Sequence, residues 1–406
     1  MAIAARSDAP PASPSIFLVA VEESGDRLGA ALMRALRERT QGAVSFSGVG
    51  GSGMAQEGLQ SLHAVEDFSI IGLSSIPERL PRILRHMRET LHALRRVRPD
   101  ALVVIDSPGY NLWLARFAHR ADRSLPIFDY VSPSVWAWRP QRARSMRRFI
   151  NHVLALLPFE PEAHRRLGGP PCSYVGHPLI EEVGLLRPNA EEARRRLADP
   201  PVVLVLPGSR RGEVSRLAAV FGEAVALLRD RAGPIEVVVP TTAERASQVE
   251  EVTKSWPLRP QIVVDPAEKR AAMRIARLAL AKSGTVTLEL ALGGVPMVTA
   301  YRLSAFDYAV AKRLVHGTTV ILANLVLGEN VVPEFLQHDC TAENLANALL
   351  PLVGDTPPRR RQTEAFAKLD GIMEIGARAP AQRAADIVLA GLRRRAMPFA
   401  GPASAR

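Results

Sequence analysis

Residues 101–111 read ALVVIDSPGYN, a run of five apolar residues that ends on an aspartate and a turn. Short apolar runs rich in β-branched residues are typical of buried strands in a parallel sheet. An acid at the end of such a strand falls at the carboxyl edge of the sheet, where doubly wound folds bind their ligands. This stretch therefore predicts a fold class and a location for the chemistry.

The same order of apolar run, turn and amphipathic segment recurs along the chain. In the first half the runs are IFLVAV (16–21), VSFSGV (44–49), IFDYV (127–131) and HVLALL (152–157). A second series contains VVLVLP (202–207), IEVVVP (235–240), QIVVD (261–265), LALAKSG (278–284) and PMVTAY (296–301). The alternation predicts an α/β protein with two doubly wound Rossmann-like domains that face a cleft.

The domain limits follow from the polar stretches around these two series. We expect a disordered tail over residues 1–15, a first domain over 16–190 and a second domain over 200–365. Helices over 366–395 are expected to pack back on the first domain or on a partner subunit. A homodimer is therefore one of the arrangements that the sequence leaves open.

The chain of 406 residues carries 52 basic and 41 acidic side chains, a formal net charge of +11. Such a surplus suits nucleic acid, a phosphorylated substrate or an acidic membrane surface. A nucleic-acid-binding face would interleave basic residues with aromatic rings, whereas rings make up 5% of this chain and its arginines are scattered. Cys172 and Cys340 are interpreted as reduced thiols. No run of about 18 apolar residues occurs, so no membrane-spanning helix is expected.

Two loops of the second domain are suited to phosphate. VVLVLPGSRRGEV passes from a strand through Gly208, Ser209 and Arg210 into a helix. Glycine allows close backbone approach, a helix start offers free N–H groups to an anion, and arginine can clamp a phosphate with two hydrogen bonds. A plain turn with a solvated arginine is an equal alternative for this loop alone.

The second such loop is LALAKSGTVTLELA, in which Ser283, Gly284 and Thr285 follow a strand and begin a helix. Glu289 lies one turn beyond Thr285 on the same helical face, where a carboxylate can accept hydrogen bonds from a ribose diol. A lone SGT triplet is a common helix cap. Two phosphate-suited loops in one domain favour nucleotide binding.

In the first domain, VEESGDRL places Glu22, Ser24, Gly25 and Asp26 at the end of a strand. Ser24 or Asp26 is expected to cap the following helix. Asp106 ends the strand quoted above, where burial can raise the pKa of a carboxyl group toward that of a useful base. The alternative is that Asp106 caps a helix that begins at Asn111.

Metal and cofactor chemistry have little support in the sequence. The nine histidines form no HExxH motif or clustered pair, and no D-x-D motif occurs to hold a divalent ion on a diphosphate. Gly48, Gly50 and Gly53 fit G-x-G-x-x-G weakly, because they follow the second strand rather than the first. We therefore expect no metal and no cofactor. His177 stabilises a turn or belongs to a site.

The motifs together resemble one family, lipid-A-disaccharide synthase, over roughly residues 16–392. They are VEESGDRLGA, GVGGSGM, VVIDSPGYN, YVSPSVWAWRPQR, LALLPFEP, YVGHPL, VLPGSRRGEV, KSGTVTLELAL, YRLSAFDYAVAKRLV and ANLVLGENVVPEFLQ. The resemblance implies an inverting GT-B-type glycosyltransferase that needs no metal. It implies condensation of UDP-2,3-diacylglucosamine with 2,3-diacylglucosamine 1-phosphate to a β-1,6 disaccharide 1-phosphate and UDP. It also implies a cytoplasmic enzyme, peripheral on the anionic inner membrane of a Gram-negative bacterium.

The resemblance also implies roles for single residues. Asp106 matches the catalytic base, and Arg210 matches an arginine at the diphosphate. The UDP pocket is implied at Gly208, Ser209, Arg210, Ser283, Gly284, Thr285, Glu289 and Asn324, the last near the uracil. The acceptor side is implied at Glu22, Ser24, Gly25 and Asp26, and we add His177 to it. The chain departs from the family pattern at Val21, Ser75, Gly109 and Ala323.

The same family motif contains two of the four tryptophans, in SPSVWAWR. With extended spacing, Trp136 and Trp138 point the same way and form an apolar wall for a sugar or an acyl chain. Arg139 and Arg142 then follow on a helix, near the acceptor's phosphate. Core packing of one tryptophan is the alternative. The competing functions are another UDP-N-acetylglucosamine transferase or epimerase of GT-B type, and a basic nucleic-acid-binding protein.

Overall fold

The computed structural model describes residues 13–65, 76–303 and 319–396. Most of the predicted tail, the apolar segment FSIIGLSSIP (68–77) up to residue 75, and Ser75 itself lie outside the described residues. The same holds for most of the motif YRLSAFDYAVAKRLV, beyond residue 303. The chain divides into two compact units, Met1–Pro178 with Ala377–Arg406, and Leu179–Gly376.

The first unit is built on a six-stranded parallel sheet in the order β2-β1-β3-β4-β5-β6. Its strands are β1 (Ser15–Ala20), β2 (Ser45–Val49), β3 (Ala101–Ile105), β4 (Ile127–Tyr130), β5 (His152–Ala155) and β6 (Cys172–Tyr174). Its helices are α1 (Glu23–Arg39), α2 (Ser52–Gln56), α3 (Ile76–Val97), α4 (Pro108–Ala121), α5 (Gln141–Met146) and α6 (Glu160–Leu167).

The second unit holds a six-stranded parallel sheet in the order β12-β11-β10-β7-β8-β9. Its strands are β7 (Val202–Leu206), β8 (Glu236–Pro240), β9 (Gln261–Val263), β10 (Leu278–Lys282), β11 (Met297–Tyr301) and β12 (Glu334–Leu336). Its helices are α7 (Leu179–Leu186), α8 (Ala190–Leu197), α9 (Arg211–Ala232), α10 (Ala246–Thr253), α11 (Pro266–Ile275), α12 (Val286–Leu292), α13 (Leu322–Leu327), α14 (Ala342–Val353), α15 (Pro357–Ala367) and α16 (Leu369–Ile372). The predicted α/β class with two parallel sheets is confirmed.

Each face of the first sheet is covered by helices. Ile16 and Leu18 point into a core shared with α1, whereas Phe17 and Val19 point into a core shared with α3 and α4. All four side chains are fully buried. This explains why β1 reads as a continuous apolar run and not as an alternating one.

The last helix, α17 (Pro380–Ala396), packs against α1 of the first unit. A Cβ at Gly391 would lie 2.4 Å from Phe128 Cζ, so the helix lies close against β4. Arg39 Nε and Asp386 Oδ1 are 3.0 Å apart across the same contact. The chain therefore returns to the first unit from residue 377, within the segment 366–395 for which we expected packing on the first domain or on a partner subunit.

The boundary between the units also lies earlier than the sequence predicted. We expected the first domain to extend to residue 190, but the second unit begins at Leu179. The reason is that α7 packs against α11 and α12. A Cβ on Gly293, just after α12, would be 3.1 Å from the carbonyl oxygen of Leu186. Within the described residues, no helix is both long enough and apolar enough to cross a membrane.

Asp26 holds the loop between β2 and α2. Its Oδ1 accepts hydrogen bonds from the N–H groups of Gly51 and Met54 at 2.8 and 3.0 Å, and its Oδ2 accepts one from Gly53 at 2.7 Å. The side chain is 4% exposed. The expectation that Ser24 or Asp26 caps α1 is wrong, because Glu22 occupies the N-cap position and makes no side-chain capping bond. All three bonds go to backbone, so the carboxylate has a structural role in this loop, and its place on the acceptor side stays a prediction.

Replacing Asp26 by asparagine tests this role. The amide nitrogen would face one of the three backbone N–H groups and leave it unsatisfied, so we expect the free energy of unfolding to fall by about 1–3 kcal/mol. Urea unfolding followed by circular dichroism measures the change. Glu23→Gln, an exposed acid one turn earlier, is the matched control and should change stability by less than about 0.5 kcal/mol. Equal urea midpoints for the two variants would contradict the role assigned to Asp26.

Candidate active site

In each sheet the strand order reverses beside the first strand of that sheet. The reversal lies between β1 and β3 in the first unit and between β7 and β10 in the second. Helices leave these neighbouring strands on opposite sides, which opens a crevice at their carboxyl ends. The predicted residues follow these four strands: Glu22, Ser24 and Gly25 after β1, Asp106 after β3, Gly208, Ser209 and Arg210 after β7, and Ser283, Gly284 and Thr285 after β10.

Asp106 is held by an unusual backbone turn. Asp106 and Ser107 have φ values of +59° and +44°, a left-handed conformation that non-glycine residues adopt rarely and that clusters at functional sites. The buried amide of Asn111 donates to the carbonyl oxygens of Ile105 and Asp106 at 2.9 and 2.8 Å. The prediction that Asp106 caps a helix from Asn111 is wrong, because α4 begins at Pro108 and Ser107 is its N-cap residue.

The Asp106 carboxylate is partly buried and accepts two neutral hydrogen bonds. Ser24 Oγ donates to its Oδ2 at 2.7 Å, and the Ser107 N–H donates to its Oδ1 at 2.8 Å. The Ser107 hydroxyl donates to Glu22. A Cβ at Gly25 would lie 3.1 Å from the carbonyl oxygen of Ile105, so a side chain there would crowd the turn. The two strand ends therefore form one hydrogen-bonded cluster.

Behind this cluster lie two buried acids that sequence reasoning missed. Asp129, in β4, is 2% exposed, and burial together with the charge of Asp106 raises its pKa well above the usual range. Burial raises the pKa of Glu160 to about 7. The hydrogen bonds that it accepts from Leu157 N–H and Trp136 Nε1 act in the opposite direction and lower that pKa. The only sequence signal was an aspartate inside the apolar run IFDYV.

The tryptophan wall is not formed as predicted. The N–H of Trp138 donates to the carbonyl oxygen of Ser134 at 2.8 Å, so this segment is a turn and not extended. Trp136 turns inward and packs edge-on against Phe159, with ring centroids 5.3 Å apart. Trp138 is 45% exposed and lies under the Arg139 guanidinium, 4.9 Å from its ring centroid. The core-packing alternative holds for Trp136, and only Trp138 with Arg139 remains on the surface.

In the second unit, two glycine turns enclose an ion pair. Glu213 Oε1 lies 3.1 Å from Lys282 Nζ, and both side chains are largely buried. A Cβ at Gly208 (φ +119°) would be 2.5 Å from Glu213 Oε2, and one at Gly284 would be 3.3 Å from Lys282 Nζ. These close approaches explain the glycine in each loop. Lys282, a cation at the end of a buried strand, was overlooked in the sequence.

Arg210 extends away from this pair. Its side chain is 82% exposed, and its Nη1 lies 3.8 Å from Glu213 Oε1. Its backbone N–H donates to Glu213 Oε2 at 3.3 Å at the start of α9. The side chain is therefore a solvated arginine at the edge of two phosphate-suited loops, with most of its hydrogen-bond donors directed to solvent.

The remaining residues of the predicted nucleotide pocket differ in availability. Thr285 is exposed at the start of α12, and Glu289 is partly buried one turn later. Ser283 is 6% exposed and donates to Glu334 at 3.0 Å. Burial raises the pKa of Glu334. The backbone N–H of Ser283 donates to the carbonyl oxygen of Ala300 at 3.2 Å, so both its hydroxyl group and its N–H already have acceptors within the protein.

Asn324 is buried and hydrogen-bonded to the loop before β12. It is 2% exposed, its Oδ1 accepts from Val331 N–H and Val332 N–H at 3.1 and 2.9 Å, and its Nδ2 donates to the Val332 carbonyl oxygen at 2.9 Å. These bonds show that its side chain fixes the loop before β12, and its place near the uracil stays a prediction. On the acceptor side, burial lowers the pKa of His177 to about 4, which keeps its ring neutral near pH 7.

Two histidines that are distant in sequence meet in space, a pairing that the sequence pattern did not indicate. His63 Nδ1 and His86 Nδ1 are 3.0 Å apart, and Glu89 Oε2 lies 3.7 and 3.6 Å from them. Imidazole and carboxylate are ligands that zinc accepts. The cluster belongs to α3 and the loop after α2, and we give it no part in the reaction below. The absence of a metal at a diphosphate stays a prediction.

Solved structures with the same fold include enzymes that act on nucleotide sugars. The UDP-GlcNAc 2-epimerase from Neisseria meningitidis, bound to UDP-GlcNAc, has a TM-score of 0.56 at 12% identity and covers 94% of this chain and 99% of its own. The calicheamicin glycosyltransferase CalG4 has a TM-score of 0.57 at 16% identity, with 94% and 99% coverage. At these identities the likeness shows the GT-B fold alone, so it gives the epimerase alternative no further support.

The sequence comparisons are more specific. The family described as lipid-A-disaccharide synthetase matches residues 16–388. The lipid-A-disaccharide synthase of Nitrobacter hamburgensis is 58% identical over 377 residues, which cover 93% of this chain and 95% of its own. That of Rhodospirillum centenum is 42% identical, with 92% and 94% coverage. Because these matches span nearly the whole chain, it belongs to the lipid-A-disaccharide synthase family and is a glycosyltransferase of lipid A biosynthesis.

Proposed function

We propose that the chain joins UDP-2,3-diacylglucosamine to 2,3-diacylglucosamine 1-phosphate, giving the β-1,6-linked disaccharide 1-phosphate and UDP. The proposal is carried by the two crevices that the reversals of strand order create. The crevice of the first unit holds the Asp106 carboxylate, and that of the second unit holds the phosphate-suited loops. Family membership supplies the substrate class. A product assay with the two acylated sugars and mass detection of the disaccharide tests it directly.

The donor binds at the loops after β7 and β10 in this proposal. The turns at Gly208 and Gly284 let backbone N–H groups approach the diphosphate, and the start of α9 adds a positive helix end. The exposed guanidinium of Arg210 binds the β-phosphate. Glu289 accepts hydrogen bonds from the ribose hydroxyls. Lys282 is already neutralised by Glu213, so it supports the loops more than it supplies charge.

The acceptor is activated at Asp106. The 6-hydroxyl of the acceptor gives its proton to the Asp106 carboxylate as its oxygen attacks the anomeric carbon of the donor. The new C–O bond forms on the face opposite UDP, and UDP departs with the electron pair of the broken bond, which inverts the centre. The hydrogen bond from Ser24 orients the carboxylate. Base assistance of this kind contributes roughly 10²–10⁴-fold to the rate.

The enzyme works at the anionic face of the inner membrane in this proposal, because both substrates carry acyl chains. In the described part of α3, Leu80 and Leu84 are 46% and 44% exposed on successive turns. Arg85 lies next to them with a side chain that is 67% exposed. Apolar and basic side chains in such an arrangement bind an anionic bilayer surface without crossing it.

Asp106→Asn tests the base. The substitution keeps the size of the side chain and removes its ability to take a proton, so kcat should fall about 10²–10⁴-fold. Thermal stabilisation by UDP, measured without added magnesium, should stay at the wild-type value because the nucleotide binds the other unit. Glu23→Gln serves as the control and should keep full turnover. If the Asp106 variant kept the wild-type kcat, the carboxylate would have a structural role and would not be the base.

Arg210→Ala tests charge stabilisation on the leaving diphosphate. Because Arg210 is largely exposed, its loss should leave the fold intact and lower kcat by about 10²–10³-fold, the usual effect of one transition-state donor. Arg211→Ala removes a neighbouring exposed arginine and is the matched control for net charge. The two variants should differ in turnover measured by release of UDP. Equal turnover in both would remove Arg210 from the reaction.

Leu80→Ser combined with Leu84→Ser tests the membrane surface. Removing two exposed leucines should weaken co-sedimentation with phosphatidylglycerol vesicles by about tenfold or more. Leu197→Ser, at a leucine 68% exposed on α8 of the second unit, is the control and should sediment like the wild type. Undiminished sedimentation of the folded double variant would argue against α3 as the membrane surface.

A further inference from the structure

A groove of about 550 Å³ runs between α4 and α5 of the first unit. Five arginines line it: Arg116, Arg120, Arg139, Arg142 and Arg148. Its volume is in the range of small-molecule sites. Only Arg139 and Arg142 were considered from the sequence, and the helices bring the other three to the same place.

In the described part of the chain, the arginines of this groove are not held in ion pairs. Among the residues that the structure describes, none of the five arginines forms an ion pair with a carboxylate. Arg139 is moreover held in a left-handed conformation, with φ +53°. Burial, and then the nearby charge of Arg139, lower the pKa of Arg142, against the opposing effect of the buried Asp129. Guanidinium groups gathered in this way without ion pairs favour an anionic ligand, and arginine forks match phosphate geometry.

One wall of the groove is apolar. Trp113 is 52% exposed there and stacks on Phe117, with ring centroids 6.0 Å apart. Leu112 and Phe149 continue the same wall. A large exposed ring beside arginines that form no ion pair with a carboxylate suits a ligand that carries both an acyl chain and a phosphate. A simple inorganic anion would leave this wall in water.

The groove begins close to the candidate base. Pro108 and Gly109 line it and follow Asp106 by two and three residues, a separation of at most about 11 Å between Cα atoms. In a hexosamine 1-phosphate only the ring oxygen lies between C1 and C5, so the phosphate and the 6-hydroxyl are near neighbours. A sugar with its 6-hydroxyl at Asp106 can therefore direct its 1-phosphate toward the arginines.

We propose that this groove binds the phosphomonoester and the first part of an acyl chain of the acceptor. The assignment rests on the proposed function for the identity of the acceptor. A phosphomonoester carries up to two negative charges and three acceptor oxygens, so several arginines can bind it at once. The same chemistry occurs in the headgroup of phosphatidic acid, and the experiment separates the two sources.

Arg120→Gln combined with Arg148→Gln is the decisive variant. Both side chains are exposed, so their loss should not affect folding. We expect the KM for the 1-phosphate acceptor to rise about tenfold or more, as charge-assisted hydrogen bonds are lost. The KM for the UDP-sugar should stay within about twofold, because the donor makes no contact with these arginines. With an acceptor that lacks the 1-phosphate, variant and wild type should be equally active.

The matched control is Arg144→Gln combined with Arg147→Gln, which removes the same charge from exposed arginines that do not line the groove. It should leave the acceptor KM unchanged. The proposal fails if both double variants change the acceptor KM equally, or if neither does. It also fails if the groove variant loses sedimentation with phosphatidic acid vesicles while its acceptor KM stays normal, since the groove would then bind a lipid headgroup.

A binding measurement separates this proposal from the proposed reaction. Dodecyl phosphate, titrated into the full chain by calorimetry, should bind the groove variant about tenfold more weakly than the wild type, whereas dodecyl maltoside should not distinguish them. If the wild type makes no disaccharide but dodecyl phosphate still depends on Arg120 and Arg148, the reaction is wrong and the anionic site stands. If dodecyl phosphate binds the groove variant and the wild type equally, the proposal that this groove binds a phosphomonoester is wrong, whether or not the proposed reaction is correct.

Discussion

Helices that leave neighbouring parallel strands in opposite directions limit where this chain can place ligand-binding groups. The crevice this creates lies at the carboxyl ends of β1 and β3 in one unit and of β7 and β10 in the other. Elsewhere the strands are buried on both faces, as β1 shows with Ile16 and Phe17 in opposite cores. Within each unit, polar side chains at the two strand ends beside the crevice therefore lie close together although they are far apart in sequence.

The position of Asp106 depends on backbone more than on its own side chain. Two successive left-handed residues, Asp106 and Ser107, each cost about 1–3 kcal/mol unless the surroundings fix them. Asn111 offsets this cost by binding the carbonyl groups of the turn, and Gly25 leaves room for it. The turn between β3 and α4 and the loop after β1 are thus structurally coupled, and a change in either is expected to move the Asp106 carboxylate.

The strands and their glycine loops could be predicted because apolar runs and turn residues are local signals. Asp106 and Arg210 were found for the same reason, since each follows a recognisable strand. What local patterns could not show were pairings over long distances: Asp26 with the amides of α2, His63 with His86, and Lys282 with Glu213. The prediction for the tryptophan segment was wrong for a different reason: its residues fit an extended strand, but the N–H groups of Ala137 and Trp138 both donate to the carbonyl oxygen of Ser134 and close a turn.

The distribution of cations fits a reaction that needs both a base and an anionic acceptor. An arginine paired directly with a catalytic carboxylate would favour its ionised form and weaken it as a base. Asp106 instead accepts hydrogen bonds from the hydroxyl of Ser24 and the N–H of Ser107, which are neutral donors. The unpaired arginines lie further along α4 and α5, beginning beyond Gly109. In the proposed reaction, the groove can therefore bind the acceptor phosphate on the same unit without any arginine forming an ion pair with the Asp106 carboxylate.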